Sequence, residues 1–273
     1  MDINLYNDDC LNVLKNIGSE SIDCVVTDCP YKIIAGGVRV VYDPNECRGV
    51  LNKRDYSQTD PKGVLNRGKK VVLSDGTECS NKWVPKETNN PSAVKDGKMF
   101  DNNEIKFSEW LPELYRVLKK GTHCYIMING RNLKDLQIEA EKVGFEYQNL
   151  LIWHKKNYTP NKYYMQGCEF ILMLSKRPAR NINNMGEKNL FEIPNIIGKK
   201  KHPTEKPISL MEILIRNSTN IGEIVLDPFC GAGSTMMACK KLERKGIGIE
   251  IDKQYYDIMI NRLSTESIQT DLF

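Results

Sequence analysis

The chain has 273 residues, 40% hydrophobic and 27% charged, with a net charge of +4; that suffices for one large domain or one domain with an insertion. No run of about eighteen apolar residues occurs, and the opening Met1-Asp2-Ile3-Asn4 does not resemble a secretory leader, so no membrane span and no export are expected. Nine cysteines lack any Cys-x-x-Cys pair and are joined by only three histidines, which argues against a structural metal or a disulfide scaffold and for buried thiols in a reducing cytoplasm.

In chain order, short apolar runs alternate with helical patterns, the signature of an α/β domain. A strand is expected over Ile3–Tyr6, then a helix over Cys10–Asn16, then an apolar strand over Ile22–Thr27 that runs into Asp28-Cys29-Pro30-Tyr31. Residues 33–98 interrupt the pattern. They are rich in Gly, Asn, Lys and Asp and hold 12 Lys/Arg against 8 Asp/Glu. Within them, Val71-Val72-Leu73 followed by Ser74-Asp75-Gly76-Thr77 reads as a strand entering a turn. An insertion this long in a compact domain is normally functional.

The alternation then resumes. A helix is expected over Ser108–Leu118, started or kinked by Pro112, followed by a strand over His123–Ile128 and a helix over Leu133–Val143. Strands follow over Leu150–His154 and Glu169–Leu174, then a second basic stretch, 177–202, with 6 Lys/Arg against 2 Asp/Glu. A helix over Ser209–Ser218, a strand over Glu223–Leu226, a helix over Thr235–Leu242, a strand over Gly246–Glu250 and a helix over Tyr255–Leu263 complete the series. Several strands are almost continuously apolar, as strands covered on both faces should be. Concentrated positive charge in two irregular segments suits phosphate contacts, although solvated Lys-rich loops would look the same.

Two strand ends carry the chemistry. Asp227-Pro228-Phe229-Cys230-Gly231-Ala232-Gly233-Ser234-Thr235 takes a strand through a carboxylate and two glycines into a helix, where free N–H groups favour a ligand. The next strand ends in Glu250, placed to meet the two hydroxyls of a ribose. A dinucleotide is the rival ligand, but its fingerprint needs a glycine where Met236 stands. The other end, Thr27-Asp28-Cys29-Pro30-Tyr31, reads on its own as a strand followed by a Pro-restricted turn.

Together, and in this order, the two strings resemble the amine motif and the S-adenosylmethionine loop of beta-class DNA amino-methyltransferases. The resemblance implies a seven-stranded Rossmann-like methyltransferase sheet with helices on both faces, a circularly permuted motif order, and the first strand beside the strand that ends at Glu250. It implies S-adenosylmethionine as cofactor, held by Asp227, Pro228, Phe229, Gly231, Gly233, Ser234, Thr235 and Glu250. Lys201-His202-Pro203-Thr204-Glu205-Lys206-Pro207 resembles a further family segment near the methionine end of the cofactor; Thr204 is read there as a helix cap and Lys206 as a partner for the carboxylate. Asn7-Asp8-Asp9-Cys10 matches a step whose Asp, here Asp9, approaches the adenine, and Asp9 also reads as a helix cap.

An exocyclic amine on a base is a poor nucleophile, because its lone pair is delocalised into the ring. Acceptors for both N–H bonds favour a tetrahedral nitrogen and offset the positive charge that grows on it. By resemblance Asp28 is one acceptor and the carbonyl of Cys29, where relatives have proline, is the other; Pro30 restricts the turn and Tyr31 stacks on a base turned out of the duplex. In the family an acid at the first motif position accompanies adenine N6 methylation and serine accompanies cytosine N4, so adenine in double-stranded DNA is expected, with cytosine N4 the alternative and RNA or a protein amide behind it. The insertion 33–98 is expected to share in target recognition, with Tyr56, Arg67, Lys69, Lys70 and Trp83 as contacts. Many relatives pair, so a homodimer is one expected assembly, in the cytoplasm of a bacterium or encoded by its phage.

Overall fold

The apolar runs build an eight-stranded sheet in the computed structural model, which describes residues 2–30, 71–72, 78–79, 105–159, 163–196 and 205–265. The elements in chain order are β1 (Ile3–Tyr6), α1 (Cys10–Asn16), β2 (Ile22–Asp28), β3 (Val71–Val72), β4 (Glu78–Cys79), α2 (Phe107–Val117), β5 (Leu118–Ile128), α3 (Leu133–Val143), β6 (Glu146–Thr159), β7 (Gln166–Ser175), β8 (Leu190–Glu192), α4 (Ile208–Ser218), β9 (Ile224–Asp227), α5 (Ser234–Lys241), β10 (Lys245–Ile249) and α6 (Lys253–Thr265). The strand order is β1-β10-β9-β2-β5-β7-β6-β8. The first five run parallel, β7 runs antiparallel to both β5 and β6, and β8 pairs parallel with β6.

Side-chain alternation explains why both faces are covered. Along β5, Cys124, Ile126 and Ile128 enter one core with Leu14 of α1, Trp110 and Leu114 of α2, and Leu136 and Ala140 of α3. Tyr125 and Met127 enter the other with Leu210 and Leu214 of α4, Met236 and Ala238 of α5, and Met259 of α6. The period of two in a strand produces this division. Ile22 and Val25 of β2 share the first face despite odd spacing, because the register shifts between Ile22 and Cys24.

The chain divides into two units, Met1–Lys32 with Phe100–Phe273, and Ile33–Met99. In the second, β3 pairs antiparallel with β4, Val71 opposite Cys79. The suggested contacts Tyr56, Arg67, Lys69, Lys70 and Trp83 lie outside the described residues, as do Tyr31 and Thr204.

β1 lies beside β10, with Ile3 opposite Gly246 and Tyr6 opposite Ile249. An eighth strand, β8, joins the seven expected. Pro112 neither starts nor ends α2; it sits inside that helix, where it removes one backbone donor. The cap of α4 is Pro207, with no side-chain cap bond, so the expected cap at Thr204 is replaced by a later start.

Candidate active site

Asp28 closes β2 and Asp227 closes β9, and these strands are parallel neighbours, with Val25 opposite Leu226. The helix after β9, α5, packs on one face of the sheet; the next helix of the main unit after β2, α2, packs on the other. Where helices leave neighbouring strands toward opposite faces, a crevice opens at the carboxyl ends, the usual place for a ligand in such a fold.

Asp227 is buried in a set of neutral donors. The Thr27 hydroxyl donates to Oδ1 at 2.7 Å, the Thr235 hydroxyl to Oδ2 at 2.6 Å, and the Phe229 N–H to Oδ1 at 3.1 Å. Burial pushes this carboxyl up to about 6 against the pull of those bonds, and the charge of Asp28 adds to the rise. Pro228 is buried in the turn, and the Phe229 ring meets Trp110 edge-on with centroids 5.3 Å apart.

The glycine turn is fastened to Glu250. The Gly231 N–H donates to Glu250 Oε2 at 2.8 Å, the Asp252 N–H to Oε1 at 2.9 Å, and the Cys230 N–H to the Ile249 carbonyl at 2.8 Å. Burial raises the Glu250 carboxyl above its ordinary value, although these N–H groups pull it down. Gly233 has a left-handed φ of 83°, and a Cβ there would stand 2.6 Å from Met259 Cγ, so only glycine fits. Ser234 and Thr235, both buried, open α5. Arg262 of α6 braces the turn from behind: Nη1 donates to the Ala232 carbonyl at 3.1 Å and pairs with Glu205 Oε1 at 2.8 Å, both side chains buried. From the N-terminal side, Asn7 Nδ2 donates to the carbonyls of Glu250 and Ile251. Asp9 caps α1, accepting the Leu11 N–H at 2.8 Å.

Asp28 sits among charges instead. Its Oδ2 accepts a hydrogen bond from Lys206 Nζ at 2.5 Å. Lys206 Nζ also stands 3.4 Å from Glu169 Oε2, and Lys155 Nζ stands 3.0 Å from Glu169 Oε1. Burial raises the Glu169 carboxyl, but Lys206 and Lys155 outweigh it and hold the group below its usual range. Lys206, expected to face a cofactor carboxylate, thus lies between two carboxylates of the chain itself. Cys29 is buried with its thiol toward the Met127 carbonyl at 3.6 Å. Burial first, and then the charge of Asp28, push that thiol well above its ordinary value, so it is no nucleophile. Pro30 follows, half-buried.

Four residues of this arrangement were not singled out by role in the sequence. Thr27 was visible only as the neighbour of Asp28. Glu169 read as a strand start, and Lys155 fell just past the expected strand Leu150–His154. Arg262 fell within the expected helix Tyr255–Leu263, and no local pattern shows that it is buried.

A family model described as DNA methylase, for N6 and N4 methyltransferases, matches residues 22–261. The type II methyltransferase M.HpaI of Haemophilus parainfluenzae is 28% identical over 97% of this chain and 76% of its own length. The type II methyltransferase M2.DpnII of Streptococcus pneumoniae is 28% identical over 96% of this chain and 90% of its own. Among solved structures, the M1.HpyAVI-SAM complex superposes with a TM-score of 0.60 at 24% identity, covering 95% of this chain and 99% of that one. The cytosine-N4-specific PvuII DNA methyltransferase superposes with a TM-score of 0.62 at 15% identity, covering 100% and 89%.

Proposed function

The chain belongs to the N6/N4 DNA methylase family, and from that premise we propose that it transfers a methyl group from S-adenosylmethionine to the N6 amino group of adenine in double-stranded DNA. The observation that carries the reading is the placement of Asp28 and Asp227 at the carboxyl ends of neighbouring parallel strands whose helices part to opposite faces. One end suits the cofactor and the other the amine.

The residues at the cofactor end fit that molecule. Glu250 already accepts two N–H groups, yet a carboxylate offers about four lone-pair sites, which leaves room for two ribose hydroxyls. Gly231 and Gly233 keep side chains out of the turn, and Asp227 with Pro228, Phe229, Ser234 and Thr235 fixes its shape. Asp9, beyond the end of β1, stands on the side proposed for the cofactor adenine. When bound, the cofactor supplies a methyl group on a positively charged sulfur, which keeps the C–S bonding electrons.

At the other end, Asp28 accepts one N–H of the target amine and the Cys29 carbonyl the other, so that the nitrogen lone pair turns toward the methyl group and the growing positive charge is offset. The acid at position 28 is the feature that favours adenine. Cytosine N4 is the second reading, since the fold is shared with a cytosine-N4-specific enzyme. Residues 33–98, with their basic excess directly after Tyr31, are assigned a share in target reading. A homodimer and a cytoplasmic location in a bacterium or its phage complete the proposal; among the described residues no helix is long and apolar enough to cross a membrane.

Incubation with methyl-labelled cofactor and unmethylated duplex DNA, followed by digestion to nucleosides, tests the reading. Label in N6-methyladenine is the expected result. Label in N4-methylcytosine overturns the base assignment, and unlabelled DNA overturns the substrate.

A further inference from the structure

We propose that Glu169 is a positioning residue for methyl transfer, acting through Lys206 on Asp28; the inference rests on the reading of Asp28 as the amine acceptor. Lys206 Nζ, 2.5 Å from Asp28 Oδ2, draws on the same carboxylate that must face a nitrogen turning positive. A cation so placed opposes that charge and competes with the amine N–H for the carboxylate oxygen. Glu169 stands on the same ammonium at 3.4 Å and divides its pull. Lys206 and then Lys155, the latter 3.0 Å from the other Glu169 oxygen, hold the Glu169 carboxyl below its usual range. The signs alternate from Lys155 through Glu169 and Lys206 to Asp28, so the four charges cancel.

The scaffold holds this row in place. Glu169 lies in β7 opposite Trp153 of β6, one of the largest buried side chains. Lys206 is only 8% exposed and is flanked by Glu205, which is paired with Arg262, and by Pro207, the cap of α4. This burial keeps the Lys206 ammonium beside Asp28. Loss of the Glu169 charge removes one counter-charge from the ammonium and turns more of its pull onto Asp28, which makes Asp28 a weaker acceptor.

Single-turnover methyl transfer at saturating cofactor and DNA tests this in E169Q, E169D, E169Q/K206M and D28A. E169Q is expected to transfer at least ~10-fold more slowly, with dissociation constants for cofactor and DNA within about 2-fold of the parent. E169D, which keeps the charge on a shorter stem, is expected to be faster than E169Q. Adding K206M to E169Q removes the cation that Glu169 no longer counters and is expected to recover at least ~3-fold of the rate, a reversal that a merely structural role does not produce. Parent-like transfer by E169Q, E169D no faster than E169Q, or a double variant slower than E169Q overturns the proposal. Normal transfer by D28A overturns the reading of Asp28 instead.

Discussion

Asp227 and Asp28 end neighbouring strands of one sheet, yet they are held in different ways. Asp227 is buried and takes two hydroxyls and a backbone N–H, none of them charged. Asp28 is held by an ammonium that shares itself with a second carboxylate. Neutral donors in a buried place leave a carboxyl with a raised pKa and a fixed geometry, which suits a group that shapes a turn. A carboxylate paired with an ammonium that a second acid also holds suits a group that meets a developing positive charge. The same residue type at equivalent strand ends thus has two different settings, which fit the two tasks proposed for it.

The brace behind the glycine turn sharpens the contrast most strongly. Arg262→Ala removes the guanidinium that pairs with buried Glu205 and donates to the Ala232 carbonyl. A loss of about 3 kcal/mol is expected in chemical denaturation, together with weaker cofactor binding. Replacing both partners by apolar residues, as in E205L/R262M, should recover most of the stability but not the cofactor affinity. If R262A melts like the parent, the turn does not depend on this brace.

The pH dependence of Asp227 is the next largest effect. Its carboxyl moves from an ordinary 3.8 to about 6 on folding. A raised folded value means that stability from this group is fully present below the unfolded value and is lost as pH rises toward 6. The loss is on the order of 2 kcal/mol between pH 4 and pH 6. Asp227→Asn cannot titrate, so its stability relative to the parent should improve across that interval, as read from denaturation curves at each pH. A flat difference would contradict the burial argument.

Smaller effects separate backbone from side chain. Gly233→Ala forces a left-handed residue and a Cβ against Met259; about 2 kcal/mol of stability should be lost, with cofactor affinity falling alongside. Asp9→Ala removes the α1 cap and should lower stability by about 1 kcal/mol. A drop in cofactor affinity beyond what that destabilisation explains, measured by titration calorimetry, would give Asp9 a cofactor contact as well.

The parallel part of the sheet was legible because its strands are short runs rich in apolar residues, alternating at the edge and nearly continuous inside: Ile3–Tyr6 matches β1, and Ile22–Thr27 falls one residue short of β2. β6 and β7 run several residues past the expected ends, since their outer parts are half-exposed and polar and show no apolar run. β8 has three residues with one buried side chain, Phe191, too little for a period to appear. At the site, the two strand-end carboxylates and the glycine turn were visible because local backbone chemistry demands them. Lys206 was visible as a charge but not by its partners, because Asp28 lies 178 residues away and Glu169 on another strand. Arg262 gave no signal, since its burial comes from packing between α6, the turn and Glu205.

The most direct test of the division between the two carboxylates is single-turnover methyl transfer by Asp28→Ala at a cofactor concentration shown by calorimetry to saturate it. The arrangement predicts cofactor binding within about 3-fold of the parent and transfer slowed by about 10³-fold. Transfer at the parent rate would remove Asp28 from the chemistry and contradict the account.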